Sequence, residues 1–97
     1  MRLLYSPEAV ADLARLRAFI AEHDPAATGR IAAELVSRID RLCAFPAMGH
    51  GVPEAPTGDA VRDFAFGHHY VVRYSVHDAA LVVLRIWHHR EERATPD

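Results

Sequence analysis

Seven histidines and eleven arginines carry most of the chemistry open to this 97-residue sequence, which contains no lysine. An imidazole titrates near neutrality and can pass a proton in either direction. A guanidinium keeps its charge and grips phosphate or carboxylate through a planar fork. Together they could work on a phosphodiester. Cutting RNA at the 2′-hydroxyl needs a group to orient or deprotonate that hydroxyl, cations for the phosphorane charge, and an acid for the leaving oxygen. The residues suited to such work gather in the second half of the chain: Arg62, Arg73, His88, His89, Arg90 and Arg93. Metal binding fits them poorly. His68-His69 and His88-His89 are adjacent pairs whose members diverge on a strand, and there is no HExxH or CxxC spacing. A glycine-rich phosphate loop and a Gly-x-Ser-x-Gly elbow are also missing, and no cofactor is expected.

The balance of charge limits the partners. Thirteen acidic residues against eleven arginines give a net charge of −2, and the pI is near 6.4. Proteins that coat phosphate backbones are usually far more basic, so non-specific nucleic-acid binding is disfavoured. A single cysteine, Cys43, cannot form a disulfide within the chain. It reads as a buried, inert thiol, and the expected location is a reducing cytoplasm. No segment reads as a signal peptide or as a membrane span.

The elements that would position these groups form one domain, residues 1–97. Residues 2–5 read as a short strand. Ser6-Pro7 is a helix start, with a hydroxyl to cap free amides and a ring whose φ suits the first turn. Val10, Leu13, Leu16 and Ile20 then mark the buried face of a helix running to about His23. Asp24-Pro25 repeats the start signal, with Asp24 as the cap. The second helix carries Ile31, Leu35, Ile39 and Leu42 and ends before Pro46. The short link predicts an antiparallel helix hairpin. Residues 46–59, rich in Pro and Gly, form a long surface loop. Strands follow at 61–66, 69–76 and 81–87. The fold class is therefore α+β: a short N-terminal strand and a helix hairpin packed on a mainly antiparallel sheet.

A two-residue turn at Gly67-His68 would pair Phe66 with His69, Phe64 with Val71 and Arg62 with Arg73. The helix-facing side would then carry Val61, Tyr70, Val72, Tyr74, Val76, Leu81, Val83, Arg85 and Trp87. The opposite face would carry Arg62, Phe64, Phe66, Arg73, Val82, Leu84, Ile86 and His88, an aromatic and cationic docking surface. Facing arginines would need an acidic partner. Arg85 is expected to brace the core edge or to pair with an acid such as Asp63.

The order of elements and several strings resemble the RelE/ParE superfamily of type II toxin–antitoxin toxins. The resemblance runs from about Leu3 to Arg93. It rests on Ser6-Pro7-Glu8-Ala9, Asp24-Pro25-Ala26-Ala27, Leu42-Cys43-Ala44-Phe45-Pro46 with Met48-Gly49, Tyr70-Val71-Val72-Arg73-Tyr74, and Leu84-Arg85-Ile86-Trp87-His88-His89-Arg90. The ParE branch is the better match. What the resemblance implies is a binding toxin directed at DNA gyrase, neutralised by a ParD-like antitoxin and touching DNA only through that antitoxin. The alternatives are a RelE-like ribosome-dependent mRNA endoribonuclease and a non-toxic antitoxin-binding module.

RelE-like relatives that cut place two basic residues alternately on the strand before the hairpin. They add an Arg after the first Tyr of the next strand, an Arg in the tail and often a Tyr beyond it. Here those positions hold Arg62, Phe64, Val71 and Arg90, with no Tyr after Tyr74. A ribonuclease would thus rest on Arg62, Arg90 and the tail His88. The target-binding candidates are Arg62, Arg73, His88, His89, Arg90 and Arg93. The antitoxin-binding candidates are Phe64, Phe66, Leu16 and Ile20.

Overall fold

The computed structural model describes residues 1–52, 60–67 and 69–89. Strand β1 (Arg2–Tyr5) leads into helix α1 (Pro7–His23). A single 3-10 turn, Pro25–Ala27, connects it to α2 (Thr28–Leu42). Four further strands follow: β2 (His50–Gly51), β3 (Val61–Phe66), β4 (Tyr70–Val76) and β5 (Ala80–His88). They form one sheet in the order β1-β5-β4-β3-β2. β1 runs parallel to β5, and the other neighbours are antiparallel. Among the described residues, no helix is long and apolar enough to cross a membrane.

Ser6 caps α1 as its residue type predicts, its Oγ accepting the Ala9 amide at 3.0 Å with Pro7 in the first turn. The buried stripe of α1 is Ala9, Asp12, Leu16 and Ile20. It differs from the expected stripe at its start, because Val10 is 57% exposed. Spacings of three, four and four keep one face turned inward, and Val10 falls beside that face. α2 buries Leu35, Ile39 and Leu42. These pack with Val72, Tyr74, Leu81, Val83 and Ile86 into one core between the helices and the sheet. Asp24 precedes the 3-10 turn but makes no capping bond through its side chain, so that expected cap is not made.

The hairpin register departs from the two-residue turn. Phe66 stands opposite Tyr70, Phe64 opposite Val72, Asp63 opposite Arg73 and Arg62 opposite Tyr74. Three residues, 67–69, therefore lie between the last pair, and Gly67 takes φ +62°. That left-handed conformation suits glycine and a three-residue hairpin loop. One extra loop residue moves every side chain of β3 to the other face. Phe66 is accordingly in the core and Phe64 packs against it.

A second irregularity flips the far half of β5. Tyr74 pairs with Val83, whereas Arg73 pairs with Arg85, so Leu84 is a bulge residue without an opposite number. Leu81 and Val83 face the helices as expected. Beyond the bulge Ile86 and His88 turn inward, and Arg85 and Trp87 do not. The opposite assignment for these four residues is overturned by this single extra residue.

The described start of the long loop is pinned rather than loose. The Tyr74 hydroxyl donates to the Pro46 carbonyl at 2.7 Å and accepts the Gly49 amide at 2.9 Å. A Cβ at Gly49 would lie 2.7 Å from the Asp63 carbonyl oxygen and 2.8 Å from the Tyr74 hydroxyl. Glycine is required there by close approach. Burial pushes the Tyr74 phenol up, consistent with a hydroxyl that acts as a neutral hinge pin.

Candidate functional site

The bulge and the shifted hairpin decide where the arginines and histidines go. On β3, Arg62 donates through a guanidinium nitrogen to the Gly49 carbonyl at 2.8 Å. On β4, Arg73 grips Asp63 with two parallel bonds, Nε to Oδ1 at 2.8 Å and a terminal nitrogen to Oδ2 at 2.9 Å. Its guanidinium carbon lies 5.4 Å from the Trp87 ring centroid. The arginines that face each other are Arg73 and Arg85, not Arg62 and Arg73. Each has its own acid, which removes the repulsion that a bare pair would suffer.

The partner of Arg85 is Asp12 rather than Asp63, which is committed to Arg73. Asp12 is only 2% exposed. Its carboxylate accepts Arg85 Nε at 2.8 Å, a second Arg85 nitrogen at 3.2 Å, Arg15 at 2.5 Å and the Ile86 amide at 2.8 Å. Burial alone would raise its pKa. The bonds from Arg85, Arg15 and Ile86 and the charge of Arg15 outweigh that, and the carboxyl sits below its usual 3.8. The same bond to Asp12 raises the pKa of Arg85.

This carboxylate does the work of a missing strand. β1 pairs with β5 only as far as Tyr5 opposite Val83. Beyond that, the Ser6 cap and side chains of α1 take over the edge. Ser6 Oγ donates to the Leu84 carbonyl at 2.8 Å, Asp12 accepts from Ile86, and Arg15 donates to the Ile86 carbonyl at 3.1 Å. The arginine–histidine pattern does not single out Asp12. Its signal is an acid set between Ala9 and Leu16 on an apolar stripe, which demands a buried donor opposite.

His88 closes the other end of β5. It is 8% exposed, with ring centroids 5.0 Å from Phe19, 5.2 Å from His69 and 4.9 Å from Tyr70. Phe19 in turn meets His23 at 4.3 Å. These rings line an open hollow of about 240 Å³, with Ile20, Asp24 and Ile31 completing the wall. Among the described residues, no group of three or more His, Cys, Asp or Glu is placed to hold a metal ion. His89 is exposed, and its amide donates to the His69 carbonyl. Arg90 and Arg93 lie outside the described residues.

Arg62 and His88 are not brought together. Arg62 stands opposite Tyr74 and His88 opposite Tyr70. Four residues along β4 and two strand spacings across the sheet put their Cα atoms roughly 16 Å apart. Of the apolar candidates, Leu16 and Ile20 are consumed by packing. Phe66 is 8% exposed, with the Arg38 guanidinium 5.4 Å from its ring centroid, and Phe64 is half-buried.

The family model for the ParE toxin of the type II toxin–antitoxin system parDE matches residues 3–93. The chain belongs to this family of toxins. Toxin RelE1 of Caulobacter vibrioides is 34% identical over 94 residues, covering 94% of this chain and 96% of the relative. Among solved structures, the chromosomal ParDE TA system from P. aeruginosa superposes with a TM-score of 0.75 at 22% identity, covering 91% of this chain and 95% of that one. YafQ from E. coli strain BL21(DE3) gives a TM-score of 0.52 at 16% identity, covering 95% and 98%. These two likenesses carry the fold: two helices on a mixed five-stranded sheet. This ParE-family chain thus keeps the expected α+β architecture, with side chains redistributed by one turn residue and one bulge.

Proposed function

We propose that this ParE-family toxin acts by binding DNA gyrase, is held inactive by a ParD-like antitoxin, and does not cut RNA. The ParE family membership supports an antitoxin partner, and the resemblance to the ParE branch supports a gyrase target. The binding mode is supported by one observation, the separation of Arg62 from His88. A transesterification needs its base, its cations and its acid within contact distance of one phosphate. Here Arg62 holds a loop carbonyl, while His88 sits among rings at the other end of the sheet. The outward side chains Arg73, Arg85 and Trp87 are instead a set of flat, charged and aromatic groups suited to gripping a protein surface.

Purified chain, alone and with its antitoxin, is to be assayed for gyrase supercoiling and for cleavage of mRNA on translating ribosomes. Lost supercoiling that the antitoxin restores, with transcripts intact, is the expected outcome. Transcript cleavage that disappears in Arg62→Ala or His88→Ala would establish the ribonuclease instead.

A further inference from the structure

The ring-lined hollow between the end of α1, the first residues of β4 and the end of β5 has the chemistry of a cation receptor. Phe19, Tyr70, His69 and His88 line it with aromatic rings, and Ile20 and Ile31 add apolar surface. Two acceptors join them. His23 donates through Nδ1–H to the Phe19 carbonyl at 2.9 Å. In a neutral imidazole that tautomer leaves Nε2 as an acceptor. Asp24 occupies a capping position, yet its carboxylate makes no capping bond. An acid free of that duty lines the same hollow. Rings with electron-rich faces beside a carboxylate attract a cation and repel an anion.

The geometry points to a docking site for an arginine side chain of a partner polypeptide, laid in the hollow against the Phe19, Tyr70 and His88 rings with its guanidinium toward His23 and Asp24. Arginine is the occupant rather than lysine because a planar guanidinium stacks on rings and offers a fork of donors to two acceptors. The hollow is of side-chain size, and the net charge of −2 favours a basic visitor. The titratable groups lining it are His23 at the end of α1, Asp24 just after it, His69 just before β4, Tyr70 at the start of β4, and His88 from β5. The lining residue from α2, Ile31, has none.

The test uses the whole protein and three probes: N-acetyl-arginine methylamide, its lysine counterpart, and the citrulline counterpart, which has the same shape without the charge. Imidazole resonances of His23, His69 and His88 are followed by NMR at pH 8. The arginine probe should shift all three at pH 8 and bind roughly tenfold more tightly than the citrulline probe, with the lysine probe between them. Phe19→Leu and Tyr70→Leu, each shown to be folded by its amide spectrum, should weaken binding several-fold. Equal shifts from citrulline or no response to arginine would each overturn the proposal. So would concentration-dependent shifts of the same rings without any probe, which would make a second copy of this chain the occupant.

Discussion

The two ends of α1 meet the same strand in opposite ways. At the N-terminal end Ser6, Asp12 and Arg15 meet β5 through directed hydrogen bonds, and the Asp12 carboxylate is fully engaged. At the C-terminal end Phe19, His23 and Asp24 face β5 across rings and an open hollow. Hydrogen bonds fix distance and angle, while ring contacts tolerate both. One helix thus has an end that sets the register of the fold and an end that can adapt to a visitor.

Substitutions graded along α1 can break this contrast. Asp12→Ala should have the largest effect, about 3 kcal/mol in urea unfolding, because it strands the Ile86 amide and leaves Arg85 without its partner. Acid titration of the same pair sharpens the point. The Asp12 carboxyl lies lower in the folded than in the unfolded chain. Its contribution is therefore complete above the unfolded value of 3.8 and is lost as pH falls through the folded value. Wild type should lose stability over that acid range more steeply than Asp12→Ala. Ser6→Ala, which removes both a cap and an edge bond, should cost about 1 to 2 kcal/mol in thermal or urea unfolding. Phe19→Leu should cost about 1 kcal/mol, since a half-buried ring is exchanged for another apolar group. His23→Ala, at the exposed end, should stay within about 0.5 kcal/mol. A hollow-lining variant that costs more than Asp12→Ala would erase the distinction between the two ends.

The elements were legible in the sequence wherever local signals decide them. Ser6-Pro7, Pro25, the α2 stripe and the run of strands all depend on near neighbours, and the superfamily resemblance agreed with them. Faces were not legible, because they depend on counting. One more residue in the 67–69 turn and one bulge at Leu84 reverse whole half-strands without changing composition or periodicity. Hence Phe66, Ile86 and His88 turn inward, while Arg85 and Trp87 turn away. The same arithmetic parts Arg62 from His88 and so dissolves the pairing that a ribonuclease reading would need. Asp12 was visible only as an anomaly, a lone acid in an apolar stripe. Three of its four donors come from residues 73 and 74 positions away in the chain, beyond the reach of any local pattern.

The way α1 finishes the margin of β5 also governs how the sheet can grow. Past Val83 the outer rungs of that strand are already occupied by a hydroxyl, a carboxylate and a guanidinium. A foreign strand arriving there would have to displace charged groups before making its first backbone bond, so this border is sealed against templated stacking. Among the described residues, the outermost strands of the sheet are β1 and β2. A chain lengthening the sheet would therefore add to one of those two rather than to the exposed end of β5.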